Sequence, residues 1–341
     1  LIDFNHSIDK GTFPSNMKYA DVSPIFKKGD RLDKSNYRPI SILSSLSKIF
    51  EKLLFAQINR FMEPNLSMYQ CGFRKNMNAQ NCLLFLIEKL RFNLDNKGFT
   101  GILLTDLSKA FDCLIRDLLI AKLHAYGFEY NAIKLIHNYL SKRFQRVRIN
   151  STYSIWLEIL LGVPQGSILG PLLFNIYLLD LFFFCLNSNI ANYAGDNSLF
   201  TCSKDVNSVL SKLEDDAKLL LKWFAENGLK ANPDKFHLIL SETKWELYLE
   251  VQQFQIFNSN HEKLLGIIID NKLSFDLHIN GLCTKASQKL HALSRIAIYM
   301  KESQRRIILK SFITSQFGYC PLIWMNHSRK SNNRINSIHK R

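Results

Sequence analysis

Apolar positions along the chain repeat with two periods, and the alternation between them lays out the elements. Between residues 41 and 62 they fall at 42, 43, 46, 49, 50, 53 and 54, a helical spacing with a serine-rich start. A second helix is predicted over 79–95. The run Gly101-Ile102-Leu103-Leu104-Thr105-Asp106-Leu107 has the continuous apolarity of a buried strand. Helices follow over 113–125 and 130–141, the first ending before Gly127. Strands at 145–149 and 155–161 lead into an apolar helix from Ile168 to Leu186. Residues 188–203 read as a hairpin with Tyr193-Ala194-Gly195-Asp196 at its turn, and 205–227 as a long amphipathic helix closed by Gly228. Short strands near 236–240 and 262–269 precede a mostly helical, basic remainder from 276. Residues 20–40, with Pro24, Gly29 and Pro39, read as short strands and loops. Strands and helices mixed, then helices alone, predict an α+β core with a helical C-terminal part.

Composition sharpens this picture. The 341 residues suffice for two or three subdomains, and 47% hydrophobic with 21% charged residues is globular rather than disordered. Lys and Arg number 44 against 29 Asp and Glu, a formal charge of +15 that points to an acidic partner such as nucleic acid. Seven cysteines form no Cys-x-x-Cys pair and no two histidines stand four apart, so buried thiols in a reducing, intracellular compartment are expected and no zinc site is legible. The segment 168–186 carries Gly170, Pro171, Asn175 and Asp180, which suits a buried helix better than a membrane span. Leu1 in place of methionine and a basic ending imply a segment of something longer.

Taken singly, the chemistry-bearing residues are ambiguous. Asp106 ends an apolar strand, where a buried carboxylate needs a cation or serves the following turn. Asp112 stands just before the 113–125 helix, as a helix-capping residue would. Asp196 is ordinary turn chemistry.

Their order is not ordinary. Thr105 to Asp112 (TDLSKAFD), then Gly162 to Pro171 (GVPQGSILGP), then Asn192 to Asp196 (NYAGD) resemble motifs A, B and C of the reverse transcriptase palm. Pro24 to Asp30 with Tyr37 to Ser41 (PIFKKGD, YRPIS), Gly72 to Lys75 (GFRK), Gly228 to Lys235 (GLKANPDK) and Ser315 to Trp324 (SQFGYCPLIW) are similar to further blocks of non-LTR, jockey-like and CR1-like elements. The resemblance spans about residues 14–335 in the family's order. It implies a right-hand polymerase fold, with fingers over 1–100, palm over 101–270 and a truncated helical thumb over 271–341. It further implies an RNA-directed DNA polymerase acting by two-metal nucleotidyl transfer onto a primer 3′-hydroxyl, with Mg²⁺, or Mn²⁺, as cofactor. RNA template, DNA primer and deoxynucleoside triphosphates are the partners so implied, with no membrane. Asp106 and Asp196 would be catalytic, and would hold metal with the backbone carbonyl of Leu107. Lys28, Arg38 and Arg74 would clamp the triphosphate. Phe111 would gate against the ribose 2′-hydroxyl, Gln165 and Gly166 would line the nucleotide pocket, and Lys235 would donate a proton to pyrophosphate.

One position departs from the family. Its motif C reads Tyr-Ala-Asp-Asp, and here the first aspartate is Gly195. Glycine suits a hairpin turn because it accepts positive φ, so fold and activity are separate questions. Two smaller departures are Ile115-Arg116 where Asp-His is usual, and Ala79 where threonine is usual. The expectation is a catalytically impaired copy; a non-catalytic RNA- or DNA-binding remnant and a pseudogene fragment are the alternatives.

Overall fold

A computed structural model describes residues 4–185, 187–232, 235–241, 247–251, 253–325 and 328–340. The chain opens with α1 (Phe4–Asp9), β1 (Tyr19–Phe26), β2 (Tyr37–Ile42) and α2 (Ser45–Met62). Next come α3 (Ala79–Asp95), β3 (Phe99–Ser108), α4 (Ala110–Cys113), α5 (Arg116–Ala125) and α6 (Tyr130–Leu140). Strands β4 (Arg143–Ile149), β5 (Thr152–Tyr153) and β6 (Leu157–Ile159) precede α7 (Leu169–Tyr177). The hairpin β7 (Asn189–Tyr193) and β8 (Asp196–Ser203) leads into α8 (Val206–Glu226), β9 (Lys230–Ala231) and β10 (His237–Leu240). Two small hairpins follow, β11 (Tyr248–Val251) with β12 (Phe254–Phe257), and β13 (His261–Leu264) with β14 (Ile267–Asp270). Helices α9 (Asp276–Ile296), α10 (Glu302–Ile308), α11 (Pro321–Trp324) and α12 (Arg329–His339) end the chain. The architecture is α+β, as the pattern predicts.

Two compact units each collect separated segments: residues 1–74, 107–184 and 219–232 form the first, and 75–106, 185–218 and 233–341 the second. In the first, β4 runs parallel to β1 within the order β2-β1-β4-β5, and β6 pairs with β4. Its aromatic core has Phe50 stacked against Phe4 and Phe13, with Tyr139 edge-on to Phe13. Lys122 is buried there, its Nζ donating to Tyr177 O and Asp180 Oδ1 and lying over the rings of Tyr177 and Trp223. The second unit is built on an antiparallel sheet of order β10-β3-β8-β7. Gly101 of β3 faces α8 so closely that a Cβ would stand 2.6 Å from Val209 and 2.7 Å from Leu213, so only glycine lets the helix lie this near the sheet.

Some predicted elements shift. The 41–62 helix starts only at Ser45, because Ser41 and Ile42 pair with Val22 and Asp21 in β1. Its buried face is Ser47, Phe50, Glu51, Leu54, Ile58 and Met62, whereas Leu46, Ile49 and Leu53 are exposed. The 113–125 helix is broken at Leu114-Ile115 into α4 and α5. Asp112 therefore lies inside a helical turn rather than capping one. The apolar helix ends at Tyr177 and continues as a tighter 3₁₀ turn over Leu179–Phe183. The predicted strand 262–269 is a hairpin reversed at Leu265-Gly266, both with positive φ. Pro233 and Asp234 of the predicted 228–235 block, and Leu186, lie outside the described residues. All seven cysteines are free thiols. Among the described residues no helix is long and apolar enough to cross a membrane.

Candidate active site

In the second unit, Asp106 on β3 pairs directly with Asp196, the first residue of β8. Residues directly opposite in antiparallel strands project from the same face, so two carboxylates meet on one side of the sheet and repel. Lys235 answers that repulsion, its Nζ donating to Asp106 Oδ2 at 2.7 Å. The side chains are 48% and 36% exposed, which limits the pair to about 1 kcal/mol or less. The expectation of a buried Asp106 in want of a cation is thus corrected: the carboxylate is half-exposed and already has one. Among the described residues no group of three or more His, Cys, Asp or Glu side chains is placed to hold a metal ion.

Gly195 lies in the β7–β8 turn, where Ala194 and Gly195 join the paired residues Tyr193 and Asp196. Ala194, at φ 59°, is the left-handed residue, and Gly195 is not. That corrects the expectation that glycine is here to accept positive φ. A Cβ built on Gly195 would meet nothing within 4 Å. The turn is held from its flanks instead. Asn192 Nδ2 donates to Ala194 O at 2.9 Å and to Asn197 Oδ1 at 2.8 Å, while Asn197 Nδ2 reaches Gly195 O at 3.4 Å. Neither asparagine stands out from the sequence, since turn asparagines are common.

The first unit carries the 162–168 turn, bound to its surroundings at almost every residue. Gly162 N donates to Leu114 O at 2.8 Å, Val163 N to Phe111 O at 3.0 Å, and Ser41 N to Gln165 O at 2.7 Å. Gly166 has φ +117° and a Cβ there would lie 2.6 Å from Ser41 O, so both conformation and space demand glycine. Gln165 Nε2 donates to both oxygens of Asp112, at 2.9 and 3.0 Å. The two side chains form a polar pair that reading Asp112 as a cap had missed. Phe111 stacks on Phe174 at 4.6 Å between centroids and meets Phe73 edge-on, half-buried as both a core ring and a gate would be. Leu107 is buried, its backbone in register with Ala231 of β9.

The three cations expected on the triphosphate divide. Lys28 and Arg38 are exposed, the latter on β2 opposite Ile25 of β1. Arg74 is not: its guanidinium binds Glu63 Oε1 at 2.7 Å and the carbonyls of Ser67 and Gln70, with 7% of the side chain exposed. As placed, it holds residues 63–74 together rather than offering charge to a phosphate. The departures from the family pattern have structural partners. Ile115 packs under Gly228, Arg116 donates to Gly162 O at 3.3 Å, and Ala79 follows the Asn78 cap of α3 in buried surroundings.

A basic, aromatic surface lies elsewhere on the first unit. Arg146 bonds to Asp21 at 2.7 Å and lies 4.0 Å over Tyr153 and 4.5 Å over Trp156, while Arg148 is 5.7 Å from Tyr153. Tyr19, Tyr153 and Trp156 are exposed by 46%, 43% and 39%. Exposed rings interleaved with guanidinium groups offer π-faces and charge to single-stranded nucleic acid.

Comparison with known proteins bears on this arrangement. The sequence profile of reverse transcriptase (RNA-dependent DNA polymerase) matches residues 25–269. The probable RNA-directed DNA polymerase from transposon BS of Drosophila melanogaster is 28% identical over 348 residues, covering 96% of this chain and 38% of its own length. The RNA-directed DNA polymerase from the mobile element jockey of the same species is 27% identical over 82% of this chain and 32% of its own. The chain therefore spans about two fifths or less of these relatives. Among solved structures, telomerase from Candida albicans in complex with a fragment of telomeric RNA superposes with a TM-score of 0.54 at 12% identity, over 96% of this chain and 64% of that one. Apo telomerase from Candida tropicalis, truncated from its C-terminal domain, gives 0.52 at 14% identity, over 76% and 54%. These likenesses concern the fold, a right-hand polymerase fold.

Proposed function

Since the chain belongs to the reverse transcriptase (RNA-dependent DNA polymerase) family, we propose that it is the polymerase segment of a non-LTR retrotransposon protein, impaired in nucleotidyl transfer by Gly195. The carrying observation is the register of Asp106 with Asp196, which puts two carboxylates on one face beside a turn that lacks the third. Hard oxygen donors of this kind suit a divalent cation, Mg²⁺ or Mn²⁺, which Asp106 and Asp196 would hold with the carbonyl of Leu107. A second ion would need the oxygen ligands that an aspartate at 195 supplies. When bound, such ions activate the primer 3′-hydroxyl and neutralise charge on the triphosphate.

The chain's own residues do the rest of the work. Lys28 and Arg38 bind the triphosphate through charge-assisted donors. The Asp112–Gln165 pair and Gly166 shape the wall against which the nucleotide lies, and Phe111 excludes a 2′-hydroxyl. Lys235 neutralises Asp106 and is the proton donor to pyrophosphate. Arg74 has no part in this. The partners are an RNA template, a DNA primer and deoxynucleoside triphosphates, met inside the cell, with the template crossing the Arg146–Tyr153–Trp156 surface. Primer extension on poly(rA)/oligo(dT), comparing the native chain with Gly195→Asp, tests the proposal. Extension by the variant alone supports it, and robust extension by the native chain with Mg²⁺ defeats the claim of impairment.

A second reading has its own support in the net charge of +15 and the exposed aromatic–arginine surface. A chain that retains those but lacks a carboxylate binds nucleic acid without extending it. Its affinity would fall steeply with salt, as counterion release requires.

A further inference from the structure

Helix α2 buries an acid. Glu51 has no exposed surface, and it lies on the same stripe as Phe50, Leu54 and Ile58, where an apolar residue is expected. A buried carboxylate must be met by donors or it is severely destabilising. Glu51 is met by three. Oε1 accepts from Ser47 Oγ at 3.0 Å, one turn earlier in the same helix. Oε2 accepts from the backbone N–H groups of Ile168 at 2.7 Å and Leu169 at 3.2 Å.

Those two amides open α7, whose own Ile168 has no side chain able to cap it. The first N–H groups of a helix lack intrahelical partners and carry its positive end, so a carboxylate there is favoured twice, by hydrogen bonds and by the dipole. Ser167 Oγ accepts from Gly170 N at 3.0 Å, and the cap on the two preceding amides comes from a residue 117 positions away. It thereby fixes where α7 starts, and with it the turn that runs straight into α7 through Gln165, Gly166 and Ser167. Ser41 N holds Gln165 O from one side of that turn, Asp112 holds the Gln165 amide from another, and Glu51 holds its exit.

We propose that Glu51 is a positioning residue for the nucleotide pocket: it fixes the 162–168 turn, and so the Gln165 side chain, through the amides of Ile168 and Leu169. Its effect on nucleotide use rests on the polymerase reading, while its effect on the turn does not. Glu51→Gln keeps the shape but removes the charge: its amide oxygen can still accept from Ile168 and Leu169 N–H, as a neutral and weaker acceptor, while Nε2 meets the Ser47 hydroxyl.

Amide hydrogen exchange on the native chain and on Glu51→Gln tests the first half. Exchange at Ile168, Leu169 and the 162–167 turn should rise by roughly tenfold, the loss of charge assistance, while the amides of β1 keep their protection. Unchanged exchange at the turn, or equal loosening across the first unit, overturns the assignment. The second half is read in the Gly195→Asp chain, where Glu51→Gln should raise KM for the nucleotide about tenfold and leave kcat within about threefold. Gln165→Ala should absorb that effect, so that adding Glu51→Gln to it changes KM little; independent effects would mean that Glu51 does not act through Gln165. If the Gly195→Asp chain does not polymerise while the exchange result stands, the polymerase reading fails and Glu51 remains the anchor of the turn.

Discussion

The turn at 162–168 and the turn at 194–195 carry neighbouring blocks of the same family pattern, yet they are built on opposite principles. The first is over-determined. Gly166 abuts Ser41 O, Gln165 is bonded through both its backbone and its amide, and a buried carboxylate closes the exit. The second is tied down only by its flanking asparagines, and its glycine faces open space. A change in the first turn disturbs the packing of its unit. A change at Gly195 in the second leaves the packing alone. That asymmetry explains how a chain can keep a polymerase fold with a glycine at 195.

The largest expected effect is a gain. Gly195→Asp should raise primer extension by about two orders of magnitude or more, the scale on which charge stabilisation acts at such centres. Its thermal midpoint should stay within a few degrees of the native chain, because nothing stands in the way of the new side chain. A large fall in the midpoint would show that the turn is not open after all.

Gly166→Ala should do the reverse. A Cβ at φ +117° and 2.6 Å from a backbone oxygen has nowhere to go, and roughly 2–4 kcal/mol of stability should be lost in urea unfolding. Gly195→Ala in the same assay should fall within about 0.5 kcal/mol of native. Equal effects from the two alanines would erase the contrast.

A smaller effect follows from the lysine on Asp106. Lys235→Ala removes the cation bonded to Asp106, so Mn²⁺ should bind several-fold more tightly by electron paramagnetic resonance titration, with stability changed by about 1 kcal/mol or less. Unchanged Mn²⁺ affinity would mean that Asp106 and Asp196 do not share a cation.

A further effect is a pH dependence that arises in the second unit. Burial, with Lys285 and Lys263 nearby, pulls the His278 imidazole down to about 4, and its Nδ1 faces the Ile268 N–H at 3.4 Å. The folded form therefore stays neutral while the unfolded form gains a proton below its ordinary 6.5, and stability falls as pH drops from 6.5 towards 4. Roughly 1–2 kcal/mol is expected after allowance for screening, and His278→Gln should flatten that slope in unfolding curves taken across the range.

Much of this was legible in the chain itself. Hydrophobic period placed α3 at its observed bounds and the β7–β8 hairpin and α8 within a residue or two, because long amphipathic stretches leave little choice of face. It erred on α2 and at 113–125, where sheet pairing by Ser41 and Ile42 and the bond that Gly162 N donates to Leu114 O outweigh local periodicity. The ordered motifs carried the family, and the glycine at 195 stood out against them. What the sequence could not supply was partnership. Nothing local says that Asp112 takes the Gln165 amide, that Arg74 turns inward to Glu63, that Lys235 reaches Asp106, or that Glu51 caps a helix far along the chain. An acid on the buried stripe of α2 was the one visible clue to the last of these. The residue types and their order are properties of the chain; which charge meets which donor depends on distances that only packing sets, and burial then decides whether that meeting is strong.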